Sequence, residues 1–140
     1  MRPLFVDTAG WTACADAGDP AHLAAIRFRD SWLEQGGSFI TSDYVADETL
    51  TLLRYRLGIN AAESWWTQVE QSSRVRWEFV GNERADAARH LFFRYRDKDF
   101  SFTDCTSFVI MRELKIREAL TTDRHFSQMG FTMEPKPGKR

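Results

Sequence analysis

The 140-residue chain predicts an α/β fold of three layers, a central and mainly parallel sheet flanked by helices. Two observations point there. Short apolar runs alternate with segments of helical period over almost the whole length. Two of those runs, Pro3-Leu4-Phe5-Val6 near one end and Glu118-Ala119-Leu120-Thr121-Thr122 near the other, each close on an aspartate, Asp7 and Asp123. If the two runs are neighbours in one open parallel sheet, both acids stand at its carboxyl edge, where such folds bind ligands.

Residues 3–7 read as the first strand, with a short helix after Thr8. A second helix runs from about Pro20, whose fixed φ suits a first helical turn, to Glu34. Gly36-Gly37 breaks the pattern before the short buried strand Ser38-Phe39-Ile40-Thr41. A helix follows from about Asp43 to Leu57. Gly58 stops it, and Asn60 is expected to cap the next, which carries Trp65, Trp66 and Val69. Alternation over 74–80 predicts a half-solvated strand. Then come a basic helix from about Asn82 to Tyr95, the turn-rich Asp97-Lys98-Asp99, a helix from about Thr103 to Leu114, the strand at 118–122, a helical turn at 124–128 and a last strand near Phe131. One domain is expected over 1–132. Residues 133–140, with two prolines, a glycine and three basic residues, predict a flexible basic tail.

The composition, 43% hydrophobic and 28% charged, is that of an ordinary globular domain. A net charge of −1 supplies no whole-protein attraction to nucleic acid, so any such binding needs a local basic surface. No apolar stretch approaches the ~20 residues of a membrane span, and the N-terminus meets an acid too soon for a signal-peptide core. A cytoplasmic protein with no membrane association is expected. Cys14 and Cys105 form no C-x-x-C pair and read as reduced thiols.

Four carboxylates carry the candidate chemistry. Glu48 shares a helix face with Val45 and Leu52, whereas Asp47, Thr51 and Arg54 form a separate polar face. An acid among apolar residues predicts burial against a metal or its water, the rival being a boundary pair with an arginine. Asp7 and Asp123 suit a ligand site and a helix cap about equally. Asp104, in Ser101-Phe102-Thr103-Asp104, has the spacing of a capping box. Gathered without a cation, these acids would repel one another and their pKa values would rise. Oxygen donors favour Mg²⁺ or Mn²⁺, since His22, His90 and His125 share no zinc-like spacing. Ala9, two residues after Asp7, argues against an aspartyl-nucleophile phosphatase.

These segments resemble the PIN-domain ribonucleases, and among them the small toxins of bacterial VapBC-type toxin–antitoxin pairs. The resemblance rests on Leu4-Phe5-Val6-Asp7-Thr8, on the stretch from Ser42 through Glu48 to Leu53, on Asp99-Phe100-Ser101-Phe102-Thr103-Asp104-Cys105, and on Leu120-Thr121-Thr122-Asp123-Arg124-His125-Phe126 with Gly130-Phe131 after it. It spans everything but the tail. It implies a PIN-like sandwich and a Mg²⁺- or Mn²⁺-dependent endoribonuclease whose metal-binding acids are Asp7, Glu48, Asp104 and Asp123. It implies further an RNA substrate, a homodimer and a cognate antitoxin. Asp99, Thr8, Thr122 and Arg124 are accessory candidates. The alternative is a PIN-like RNA- or protein-binding module without catalysis.

Two surfaces are candidates for contact. Arg84, Arg89, Arg94, Arg96 and Lys98 interleave with Phe92, Phe93 and Tyr95, a composition that suits phosphates and unpaired bases; the rival places those aromatics in the core. Trp65 and Trp66 are adjacent on one helix and cannot both point inward, which predicts an aromatic near an exposed apolar patch.

Overall fold

The computed structural model describes residues 2–136. Five strands, β1 (Pro3–Val6), β2 (Ser38–Ser42), β3 (Val75–Glu78), β4 (Glu118–Leu120) and β5 (Thr132–Glu134), form one sheet in the order β3-β2-β1-β4-β5. Every pairing is parallel. Among the described residues seven helices flank it: α1 (Thr8–Ala15), α2 (His22–Glu34), α3 (Asp43–Leu57), α4 (Ile59–Gln71), α5 (Gly81–Arg94), α6 (Phe102–Glu113) and α7 (His125–Gln128). The chain leaves β1 toward β2 on one side and later returns to β4 on the other. The carboxyl end of β1 is therefore the switch point, where a crevice opens between diverging connections.

The central strand is the most enclosed. Leu4, Phe5 and Val6 have no exposed surface, as expected of a strand covered on both faces. Helix α6 is nearly as deep, with every residue from Asp104 to Met111 buried. Its two buried hydroxyl residues are satisfied locally: Thr106 and Ser107 both donate to the Thr103 carbonyl, at 2.7 and 3.1 Å. An aromatic cluster of Phe100, Phe108, Phe126 and Phe131 ties α6 to α7 and β5. A close approach locks α1 onto the sheet. A Cβ on Gly10 would lie 2.0 Å from the Leu120 carbonyl oxygen, so only glycine lets this helix touch β4.

Several expected boundaries move. Helix α3 ends where Gly58 predicts, with φ at 100° and its N–H donating to the Leu53 and Arg54 carbonyls. Asn60, however, lies inside α4, whose N-cap is Gly58 itself, with no side-chain cap bond. The glycine serves both helices and leaves no residue for Asn60 to cap. The expected tail begins too early. Met133 and Glu134 belong to β5, paired with Ala119 and Leu120, and the Thr121 N–H donates to the Glu134 carbonyl at 3.0 Å. The exposed edge of β4 takes these residues up as a fifth strand; residues 137–140 lie outside the described part of the chain.

Trp65 is buried, while Trp66 packs on Trp77, with ring centroids 5.3 Å apart, beside the exposed Phe79. On α5, Phe93 is exposed and meets Phe92 edge-on, and Phe92 covers Phe102 from the rim. Arg84 is bound on three sides, by Glu78, Glu113 and the Phe79 carbonyl. It fastens α5 to β3 and α6 rather than offering a free cation. Cys14 and Cys105 are both free thiols, and burial pushes each up to about 11, which leaves them weak nucleophiles. Among the described residues no helix is long and apolar enough to cross a membrane.

Candidate active site

The cleft at the switch point has a volume of about 240 Å³, and Asp7, Glu48, Asp104 and Asp123 all line it. Each arrives by a different route. Asp7 follows β1 directly and caps α1, accepting from the Gly10 N–H at 2.8 Å through Oδ1. Its other oxygen accepts from the Thr121 hydroxyl at 2.7 Å. Asp104 completes a capping box with Ser101, and its Oδ2 accepts from the Ser101 N–H at 3.1 Å. Asp123 sits in the turn after β4, where Oδ1 accepts from the His125 N–H at 2.9 Å. Capping and site roles therefore coexist, because a cap consumes only part of a carboxylate's accepting capacity. No arginine or lysine pairs with any of the four among the described residues.

Glu48 departs from expectation. It shares its face with Val45 and Leu52, as the spacing requires, but that face runs from the buried Val45 out to the cleft wall, where Glu48 stands. Glu48 is exposed, and the buried residues of α3 are Val45, Ala46, Thr49 and Leu53. An apolar stripe seen in sequence does not distinguish a core-facing surface from the wall of a crevice. Among the accessory candidates, Thr8 and Thr122 line the cleft. Arg124 is exposed beside it, and Asp99 is exposed in the turn before α6; neither contributes to the lining.

The electrostatics are those of acids crowded without compensation. Burial raises Asp7 from 3.8 to about 8, Thr121 and Gly10 oppose the rise through their hydrogen bonds, and repulsion from Asp123 and Asp104 adds to it. Asp104 is raised for the same leading reason, burial, followed by repulsion from Asp123 and opposed by Ser101 and His125.

Sequence reasoning missed Thr121 and set His125 aside as packed or capping. Thr121, rather than Thr122, touches an acid, and its oxygen also accepts from the Asp123 N–H at 2.9 Å, linking two of the carboxylates. His125 places Nδ1 3.0 Å from Asp104 and 3.1 Å from Asp123. Asp104, Asp123 and His125 could together hold a metal ion. The adjacency of Thr121 to a strand end was visible; its reach across the sheet was not.

The donor set fits a hard divalent cation. Four carboxylates face one cleft, and the Thr8 hydroxyl, which lines it too, is buried without a hydrogen-bond partner. A buried orphan hydroxyl is costly unless water or an ion completes it, and a cation would offset the burial, and the lesser repulsion, that raise Asp7.

A parallel sheet that gathers carboxylates from four separate segments at its switch point describes an α/β protein built around an acidic catalytic-type cleft. The chain belongs to the PIN-domain family, whose model matches residues 4–132. It is similar to the 23S rRNA-specific endonuclease VapC20 of Mycobacterium tuberculosis, with 37% identity over 134 residues, covering 96% of this chain and 98% of the relative, in strains CDC 1551 / Oshkosh and ATCC 25618 / H37Rv alike. The crystal structure of Mycobacterium tuberculosis VapC20, described as a sarcin–ricin loop cleaving toxin, matches with a TM-score of 0.86 at 36% identity, over 96% of this chain and 99% of that one.

Proposed function

We propose that this chain is the toxin of a VapBC-type pair, a divalent-metal-dependent endoribonuclease that cuts the sarcin–ricin loop of 23S ribosomal RNA. The observation that carries the proposal is the convergence of Asp7, Glu48, Asp104 and Asp123 on one cleft, with no arginine or lysine paired to them among the described residues. The similarity to VapC20 over nearly the full length of both chains supports the choice of RNA. Mg²⁺ or Mn²⁺ suits the oxygen-rich donor set. A cytoplasmic location, a homodimer and a cognate antitoxin that covers the cleft belong to the same reading. The non-catalytic module finds no support in a site that keeps all four acids.

Asp7, Asp104 and Asp123 would hold the cation from the floor of the cleft, with Glu48 closing the rim. When bound, the ion lowers the pKa of an attacking water and offsets charge building on the phosphate. Thr121 holds Asp7 and the Asp123 backbone in register. The Ser101 N–H fixes the Asp104 carboxylate, and His125 sets the separation between Asp104 and Asp123. Such supporting bonds orient donors before the substrate arrives.

The test uses a sarcin–ricin hairpin RNA, the purified chain and Mg²⁺ or Mn²⁺. Cleavage at one position is expected, abolished by EDTA and by Asp7→Asn or Asp104→Asn in variants that still fold. Undiminished cutting in excess EDTA would end the metal mechanism. Cutting of other RNAs with the hairpin left whole would end the substrate assignment alone.

A further inference from the structure

We infer that Arg56 binds a backbone phosphate of the RNA at the mouth of the cleft, and that Asp16 and Asp19 hold its guanidinium there until the substrate takes it. The inference rests on the ribonuclease reading and adds a substrate-binding residue to it.

A cleft lined by four catalytic-type acids and by Asp19 repels a polyanion. Something cationic must face the incoming strand if it is to bind before any metal contact forms. Among the described residues that line the cleft, Arg56 is the one with a positive charge. Its position follows from helix periodicity. Glu48, Leu52 and Arg56 are spaced by four, so they share the face of α3 that forms the cleft wall, and all three line it. At 1.5 Å per residue Arg56 stands about 12 Å along the axis from Glu48. That distance directs Arg56 to a phosphate further along the strand than the scissile one.

The contacts of Arg56 are those of a side chain kept ready. Its Nη1 lies 3.7 Å from Asp16 Oδ2 and 3.6 Å from Asp19 Oδ2, and the side chain is 41% exposed. Charge-assisted hydrogen bonds are shorter than this, about 2.7–2.9 Å, so the guanidinium N–H groups remain available. Arg84 shows the opposite case: its bonds to Glu78, Glu113 and the Phe79 carbonyl lie at 2.9–3.1 Å and occupy its donors. The loop before α2 is itself fixed. Asp16 accepts from the Gly18 N–H at 2.8 Å and Asp19 from the Ala21 N–H at 2.9 Å, each through Oδ1, leaving both Oδ2 atoms toward Arg56. Two carboxylates at such range hold a guanidinium in place without binding it tightly, and a phosphate offering two oxygens at bonding distance displaces them.

The experiment measures binding of the sarcin–ricin hairpin to the full chain carrying Asp7→Asn, across a series of salt concentrations, and steady-state cleavage by the chain with Asp7 intact. Arg56→Gln is expected to weaken binding about tenfold and to flatten the slope of log affinity against log salt by about one. In cleavage the loss should appear in KM, and Arg56→Lys should recover the slope. Asp16→Asn with Asp19→Asn should tighten RNA binding, because the guanidinium is released. Unchanged affinity and slope in Arg56→Gln would overturn the inference. So would a loss confined to thermal stability and shared equally by the Asp16→Asn, Asp19→Asn variant, the mark of a merely structural ion pair. Failure of the chain with Asp7 intact to cut any RNA would instead overturn the ribonuclease reading, while the binding slope would still report on Arg56.

Discussion

The Thr121 hydroxyl donates to Asp7 across 114 residues of sequence, at 2.7 Å, and the same oxygen accepts from the Asp123 N–H. One small side chain at the end of β4 thus joins the acid that follows β1 to the acid that follows β4. Thr121→Val keeps the shape and removes the bond. Cleavage should fall about 10- to 100-fold, with Thr121→Ser restoring most of it. Equal rates in the valine and serine variants would show that the hydroxyl does nothing for the site.

Asp7 also sets a pH dependence. Its folded pKa, about 8, lies above the ordinary 3.8, so the folded state binds its proton more tightly than the unfolded chain does. The stabilisation is complete below about 4 and is lost as pH rises toward 8, by an amount on the order of a few kcal/mol. Thermal unfolding in EDTA should therefore show a falling Tm across that window. Asp7→Asn should flatten the fall, and Mg²⁺ or Mn²⁺ should offset it. A metal-free Tm that rises from pH 5 to 8, with no change in Asp7→Asn, would contradict the burial of this acid.

Glu48 is exposed on the cleft rim, so its removal should cost function without cost to the fold. Glu48→Gln is expected to shift unfolding by no more than about 0.5 kcal/mol while lowering metal affinity and cleavage. Calorimetric metal titration beside denaturant unfolding separates the two effects. A large loss of stability would place Glu48 in the core after all.

Gly10 tests the fold itself. The Cβ of Gly10→Ala would stand 2.0 Å from the Leu120 carbonyl oxygen, and a backbone atom has little freedom to retreat. A loss of about 2–4 kcal/mol is expected, read as a lower denaturation midpoint. Cleavage should fall too, since α1 begins at the Asp7 cap and any shift of the helix moves that carboxylate. An alanine variant as stable as the parent would mean that α1 does not approach β4 this closely.

Most of the secondary structure was legible because its signals are local. The apolar face of α3, the glycine that ends it and the Ser101–Asp104 box all act within a turn or two of their own residue, so the chain announces them in order. The four acids could be named for the same reason: Asp7 and Asp123 follow strands, Asp104 stands in the first turn of a helix, and Glu48 falls on a helix face with Val45 and Leu52. The boundaries that moved are those set by neighbours, such as β5, which exists because β4 has an edge to pair with.

Sequence by itself determined the order of most strands, helices and stops, and which carboxylates lie at element ends, because backbone hydrogen bonding and side-chain periodicity are short-range effects. Only the tertiary structure decided that β1 sits between β2 and β4, so that Asp7, Asp104 and Asp123 meet, Thr121 reaches Asp7, His125 stands between two acids and Arg56 faces the cleft. It also turned Glu48 outward. These outcomes depend on strand pairing and packing between segments far apart in the chain, and no local pattern encodes the distance between them.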